Sequence, residues 1–483
     1  MNTPIRRIGF LVMIMFLALM AQTTWVQYGQ AGDLNADSRN TRTVYHEYGR
    51  DRGPIVVDGQ PIAYSEKVKD PFKFQREYSD GELYAPVTGF FSVVFQATGM
   101  ELAKNDVLNG SDDSLLWSRI RTLVTGGEQR GGTVELTLDP EAQRAAKDAF
   151  GDQRGAAVAL DPTTGEILAL VSTPSYDPNV LASHDTKQVN ADYAELQERS
   201  DRPMVNRAIG GDQYPPGSTF KLIDLAMLLE SGDYDADTVV DAPTRLDLPG
   251  TDRQIQNPGG LACGNNEEAT LGHALTVSCN TPFAKLAMEF GADELRDQAE
   301  AFGFGQDLSI PLRTTPSRFG DPQDDPQVAM TAIGQYDVRT TPLQMAMVSA
   351  AVANDGVLMT PYLVATQRGS DLRVTYSATP EEFSRPISPA TADTMTEMMI
   401  DVVDEGTGSP AQISGTKVAG KTGTAETGNE NAQHAWFTAF APADDPQVAV
   451  AVVVENGGSL GSEATGAKVA APIAKAVMEA VIE

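Results

Sequence analysis

The sequence predicts an α+β fold: one antiparallel sheet assembled from distant segments and flanked by helices, behind a small β-rich module and a single apolar helix. Three observations carry this. Strand-like runs lie at both ends of residues 131–483, with a long helical stretch between them. Short strand-like pieces broken by Gly, Pro and Asp fill most of the chain before residue 131. Only one stretch, Ile8–Tyr28, is long and apolar enough to span a membrane.

Arg6 and Arg7 precede the charge-free run Ile8–Ala21, and apolar character continues through Trp25 and Tyr28. As a helix, Ile8–Tyr28 covers ~30 Å, one hydrocarbon core. The arginines keep that end inside, and Trp25 and Tyr28 suit the outer interface. "LALMAQ" is a poor small-x-small cleavage site, which favours an uncleaved anchor over a signal peptide. Residues 1–7 are then a cytoplasmic tail, 8–28 a single-pass anchor in the cell membrane, and everything after it extracytoplasmic.

Gln30–Asn40 reads as a polar linker. Between residue 41 and about residue 130, "GPIVVDGQPIAYS" and "LYAPVTGFFSVVFQ" look like strands, and no catalytic constellation appears. Residues 29–130 are therefore expected to form a small non-catalytic module, and 131–483 the catalytic domain. "TVELTLDPEAQRAAKDAF" reads as a strand entering a helix. "AAVALDPTTGEILALVS" reads as a hairpin: Ala156–Leu160, a turn at Asp161–Gly165, then Glu166–Ser172. Thr341–Asn354 suits a core-facing helix. "KVAGKTGTAE", "HAWFTAFAP" and "QVAVAVVVENG" follow as three strands, and "AAPIAKAVMEAVIE" closes as an amphipathic helix.

Composition bounds the partners. The 483 residues are 41% hydrophobic and 21% charged, an ordinary globular balance that allows more than one domain. The formal charge of −30 argues against nucleic acid and against a broad face for anionic lipid. It fits a solvated acidic surface of the kind suited to a salty habitat.

The chemistry begins at "YPPGSTFKLIDLAMLLE", Tyr214–Glu230. A serine and a lysine three positions apart share one helical face, so Ser218 and Lys221 are neighbours. Serine needs an adjacent base, and lysine becomes one when burial, a nearby cation and the helix dipole lower its pKa. The N–H groups of the first turn can stabilise an oxyanion. The stretch is suited to acyl transfer through a serine ester. Ser414–Lys417 has the same spacing without the Pro–Gly frame, and is read as chance.

Two further pieces complete the pattern. Ser278-Cys279-Asn280 follows sixty positions after Ser218 (278 minus 218), and Lys421-Thr422-Gly423-Thr424 lies on an expected strand. Ser38–Asn40 mimics the second motif but is out of order. Ser-x-x-Lys, Ser-x-Asn and Lys-Thr-Gly in this order are the motif set of penicillin-binding proteins and class A β-lactamases.

Along nearly its whole length the chain resembles the class B penicillin-binding proteins, and among them the actinobacterial penicillin-binding protein A group. "YGRDRGPI", "LYAPVTGFFS", "DVLNGSDD", "LALVSTPSYDPN", "AIGQYDVRTTPLQMAMVSAAVAN" and "AGKTGTAE" carry the likeness, with the anchor. The resemblance implies a transpeptidase domain of the penicillin-binding/β-lactamase type on a non-catalytic, dimerisation-like pedestal. It implies a D,D-transpeptidase that cross-links peptidoglycan stem peptides, is acylated by β-lactams, and needs no cofactor or metal. It also implies a separate glycosyltransferase and division or elongation proteins as partners.

By the same resemblance Ser218 attacks the penultimate D-Ala carbonyl and Lys221 takes its proton. Ser278 relays a proton to the leaving amine, and Asn280 holds the donor's amide and keeps Lys221 in place. Lys421 supplies positive potential, Thr422 and Thr424 bind the terminal carboxylate, and N–H groups of Ser218 and Thr424 form the oxyanion hole. Gly423 is expected to let substrate lie close to the strand. Strict pleating sets Lys421 and Gly423 on one face and both threonines on the other, a tension with their shared role.

Rival functions fit less well. A class A β-lactamase needs a Glu-x-x-x-Asn-like loop, and none of Glu289, Glu294 and Glu300 has Asn four positions on. A β-lactam sensor needs cytoplasmic signalling sequence, and seven residues precede Ile8. A bifunctional enzyme needs a glycosyltransferase domain, for which residues 29–130 are too few. A catalytically idle scaffold would be expected to lose motif residues, and all are present. A D,D-carboxypeptidase shares the first step and stays as the alternative.

The scattered His46, His184 and His273 argue against a metal site. His434 is expected in the strand after Lys421 without pairing to Ser218, and Trp436 and Phe437 in the core. Outside the membrane, the only two cysteines, Cys263 and Cys279, are expected to be bonded, pinning the second motif from behind.

Overall fold

The computed structural model describes residues 2–26, 48–111, 130–427 and 433–482. Tyr28, the Gln30–Asn40 linker, Ser38–Asn40 and His46 lie outside them. Among the described residues helix α1 (Asn2–Thr24) packs on nothing, and Pro4–Thr24 has a mean hydropathy of 1.8. It is long and apolar enough to cross a membrane.

The catalytic domain is built on a five-stranded sheet. Its strands are β5 (Gly155–Leu160), β6 (Ile167–Thr173), β9 (Ala419–Glu426), β10 (Gln433–Ala441) and β11 (Val448–Val454), in the order β9-β10-β11-β5-β6, all antiparallel. All seven residues of β11, "VAVAVVV", are buried, because helices cover both faces and alternation is not required. One cover is α3 (Pro140–Phe150) with α9 (Ala471–Ile482), both in the apolar cluster containing Phe150, Val450 and Val477. The other includes α7 (Pro342–Ala353), whose Thr341 caps the Gln344 N–H and whose Met345 and Val348 lie in the main core. The hairpin, the three late strands, the buried helix and the closing helix agree with the sequence expectation.

The pedestal sheet is interleaved with the catalytic domain. Its strands are β1 (Ile55–Val57), β2 (Gln60–Lys67), β3 (Phe74–Tyr78), β4 (Thr133–Leu136), β7 (Val364–Arg368) and β8 (Val374–Ser377), in the order β8-β7-β4-β1-β2-β3. The sheet thus crosses residue 131, with β1 and β4 parallel and β7 antiparallel to β4. The expectation of strand at "LYAPVTGFFSVVFQ" is wrong for its first half. Gly81–Thr88 is helix α2, and only Phe91–Ser92 and Gln96–Ala97 pair as a short ladder. Leu83 and Val87 are four apart on one buried face, and Gln143 of α3 donates to Leu83 O. Burial of that face in the main core, with Ile167 and Leu170 of β6, outweighs the β propensity of Tyr, Val and Thr.

Four polar side chains meet at the pedestal's centre. Glu101 is fully buried and accepts from Arg52 Nε and Arg76 Nε, each at 2.6 Å. Tyr78 donates its hydroxyl to the same carboxylate at 3.2 Å.

Candidate active site

Three helices and one edge strand bring the motif residues together: α4 (Lys221–Glu230), α5 (Thr281–Phe290), α8 (Pro389–Asp404) and β9. Ser218 lies in a 3₁₀ turn, Gly217–Phe220, that leads into α4. In such a turn side chains at i and i+3 eclipse, which aligns Ser218 with Lys221 more closely than an α-helix would. Gly217 has φ +55, and a Cβ there would lie 2.5 Å from Thr424 O. Gly423 faces the same turn, where a Cβ would meet Pro216 O at 2.8 Å. The two glycines let the serine turn lie against β9. Sequence reasoning gave the small size of Gly423 to substrate, and the structure gives it to packing.

Ser278 sits in a left-handed backbone conformation, φ +60, between the helix Leu271–Thr276 and α5. This is a conformation that a non-glycine residue keeps only under local constraint. It aims the Ser278 carbonyl at one lysine and its hydroxyl at another. Lys221 Nζ donates to Ser278 O at 2.9 Å and to Asn280 Oδ1 at 2.7 Å, and Lys421 Nζ donates to Ser278 Oγ at 2.7 Å. Behind the turn, Cys263 and Cys279 are joined as a disulfide, with Cα atoms 5.8 Å apart.

Both lysines are fully buried. Burial first, and the charge of Lys421 second, push Lys221 well below the ordinary lysine range, against the opposing pull of Asp224. Burial alone lowers Lys421 to about 7. With its two N–H groups donated to the Ser278 and Asn280 oxygens, a neutral Lys221 amine keeps its lone pair free.

Among the described residues strand β9 ends the sheet and pairs only with β10, so its outer edge carries no strand there. The pleat holds as expected. Lys421 and Gly423 face the serine turn and Ser278, whereas Thr422 Oγ1 bonds Thr407 Oγ1 at 2.7 Å in the loop after α8. Thr424 is half-buried at the strand's open end. Trp436 and Phe437 are wholly buried, and Trp436 Nε1 donates to Pro215 O at 3.0 Å, tying β10 to the serine turn. His434 lies opposite Ala425, edge-on to Tyr214, with its Nδ1 accepting from Asn456 N–H. His184 pairs with Asp70 in the pedestal, far from this chemistry in the chain.

Sequence reasoning missed several supports. Asn257 Oδ1 accepts from the N–H groups of Asn280 and Thr281, and from Thr281 Oγ1, fixing the start of α5. Asn280 Nδ2 donates to Gln256 O at 2.7 Å, which leaves its oxygen turned to Lys221. Thr407 is the partner of Thr422. An Asn or Thr fifteen or more positions from its partner carries no local signal. Asp224, one turn beyond Lys221, was visible in the sequence and not weighed.

Comparison with known proteins gives the same arrangement a lineage. Residues 155–479 match the penicillin binding protein transpeptidase domain, and residues 52–134 the penicillin binding protein A dimerisation domain. The chain is 43% identical to the peptidoglycan D,D-transpeptidase PbpA of Mycolicibacterium smegmatis, over 100% of this chain and 99% of that one. It is likewise 43% identical to PbpA of Mycobacterium tuberculosis, with the same coverage. The M. tuberculosis penicillin-binding protein A ceftriaxone acyl-enzyme superposes with a TM-score of 0.88 at 42% identity, covering 91% of this chain and 100% of that chain. Its penicillin G acyl-enzyme gives 0.86 at 42% identity, covering 90% and 100%. With both domains matched and the full length shared, the chain belongs to the class B penicillin-binding proteins.

Proposed function

We propose that this protein is a membrane-anchored serine D,D-transpeptidase, cross-linking peptidoglycan stem peptides through an acyl-enzyme on Ser218 that β-lactams also form. One observation carries the residue roles: two fully buried lysines converge on Ser278, and one of them, Lys221, is one turn from the serine and also holds Asn280. A pair of desolvated amines with lowered proton affinity suits proton transfer, not scaffolding.

In this reading the Ser218 hydroxyl adds to the penultimate D-Ala carbonyl of a donor stem, and its proton passes to the lone pair of Lys221. N–H groups at Ser218 and Thr424 receive the oxyanion. As the tetrahedral adduct collapses, the bond to the terminal D-Ala breaks, and its nitrogen takes a proton through Ser278 Oγ, which Lys421 holds. The acceptor amine then attacks the ester and gives up a proton along the same route, restoring Ser218. The donor lies along the open edge of β9, its terminal carboxylate near Lys421, Thr422 and Thr424. The pedestal carries no chemistry in this scheme, so glycan polymerisation falls to a partner. The N-terminal end of α1 lies in the cytoplasm, because Arg6 and Arg7 sit there.

Incubation with a fluorescent penicillin, then with a stem-peptide thioester and a D-amino acid acceptor, tests this. Stable acylation at Ser218 and aminolysis of the thioester are expected. Release of the acyl group mainly to water would instead assign D,D-carboxypeptidase activity.

A further inference from the structure

Asp224 is a buried charge that the mechanism above does not use. It lies on α4 three positions after Lys221, so the two side chains leave the helix on one face, with Cβ atoms ~5–6 Å apart. Asp224 is fully buried, and neither of its carboxylate oxygens has a hydrogen-bond partner. A buried carboxylate without donors is expensive, whereas a buried carboxyl without donors is tolerable. Among the described residues, Lys221 is the charged group that chiefly acts on Asp224, and Lys421 and Asp224 are those that chiefly act on Lys221.

The neighbouring helices contribute no competing charge. On α6 (Ala292–Ala301), Asp293, Glu294, Asp297 and Glu300 are exposed, and Arg296 pairs with Asp293. On α8, Asp393, Glu397, Asp401 and Asp404 are exposed. On α5, Glu289 is exposed and Lys285 pairs with Asp241.

We propose that Asp224 is a positioning residue for the proton of the acylation step: it and Lys221 share one proton, and Asp224 holds back part of the Lys221 population as ammonium. The pair has two forms of equal net charge. With the proton on Asp224, Lys221 is a free amine able to accept the proton of Ser218. With the proton on Lys221, the ammonium and carboxylate neutralise each other one turn apart and the serine has no base. Asp224 thus offsets the cost of a second buried lysine beside Lys421, and lowers the fraction of enzyme ready to react. Its negative form raises the proton affinity of Lys221, so it moves the rising limb of the acylation profile to higher pH.

This inference rests on the reading of Ser218 as nucleophile and Lys221 as its base. The test is the second-order rate constant for acylation of the full-length protein by a fluorescent penicillin, followed by stopped flow from about pH 5 to about pH 9. Mass analysis of the labelled peptide is run alongside. Asp224→Asn should raise the constant about twofold to tenfold on the acid side and shift the rising limb to lower pH. Asp224→Leu, which also removes the carboxyl, should shift the limb the same way and serves if the Asn variant folds poorly. A pH profile unchanged from wild type in both variants would overturn the inference, as would a lowered constant with an unshifted limb, which marks a purely structural role. If wild type is labelled somewhere other than Ser218, the underlying reading falls as well. Labelling at Ser218 with an unshifted limb removes the inference and leaves that reading standing.

Discussion

The pedestal buries a cluster of four ionisable side chains and the active site three, and they treat them in opposite ways. In the pedestal, Glu101 is held by two arginines and a tyrosine hydroxyl, and Arg52 also donates to Glu101 O and Asn105 Oδ1. Burial pushes the Glu101 carboxyl up, but Arg76 and Arg52 outweigh it and hold the group below the usual range. At the active site two lysines and Asp224 are equally buried, with no ion pair between lysine and carboxylate within salt-bridge distance among the described residues. There the proton affinities move toward neutrality. Burial with each charge facing an opposite one keeps charges fixed and makes structure. Burial without an ion pair leaves protons mobile and makes chemistry.

Breaking each cluster should therefore give different phenotypes. The largest effect is expected at the nucleophile: Ser218→Ala abolishes penicillin labelling while the circular dichroism spectrum and unfolding midpoint stay close to wild type. Labelling that survives on Ser278 or Ser414 would show that the serine turn is not the reacting element. Glu101→Ala should do the reverse, leaving two buried guanidiniums unpaired at ~3–5 kcal/mol of stability, with normal acylation of the folded fraction. Denaturant melts check it. Because the folded Glu101 is depressed, its stabilisation is present above the unfolded value of about 4.3 and is lost as pH falls through the folded one.

Between the two clusters in magnitude stands the disulfide. Replacing Cys263 and Cys279 by Ala opens a loop of sixteen positions and should cost ~3 kcal/mol. Denatured, unreduced wild type should titrate no thiol, and two free thiols would refute the bond. Lys421→Ala should slow acylation ~10²-fold with little change in the melt, since it removes a charge aimed at the substrate carboxylate. An unchanged rate would deny it that role.

The smallest effect is the most diagnostic. Burial holds Lys221 well below the ordinary lysine range, whereas Lys421 loses its charge as pH rises through about 7. The acylation constant should climb on the acid side, peak near neutrality and decline above it, and Lys421→Arg should flatten the decline because arginine stays charged. A decline of the same size in the Arg variant would assign the falling limb to another group.

Much of this molecule was legible before any coordinates. The apolar run of α1, the three motifs with Ser218, Lys221, Ser278, Asn280 and Lys421, and the strands flanking the helical middle all followed from residue type and spacing. Those signals are local: a hydroxyl three positions from an amine, or an unbroken valine run, means much the same in any surroundings. Tertiary structure decided the rest. It made Gly81–Thr88 a helix, because the main core beside β6 was there to bury Leu83 and Val87, and gave Gly423 to the serine turn. It chose Asn257 and Thr407 as supports and left Asp224 without a partner beside Lys221. The identity of an ionisable residue is written in the chain, but its proton affinity depends on how much water and which partners the fold leaves it, and those are set by residues far away in sequence.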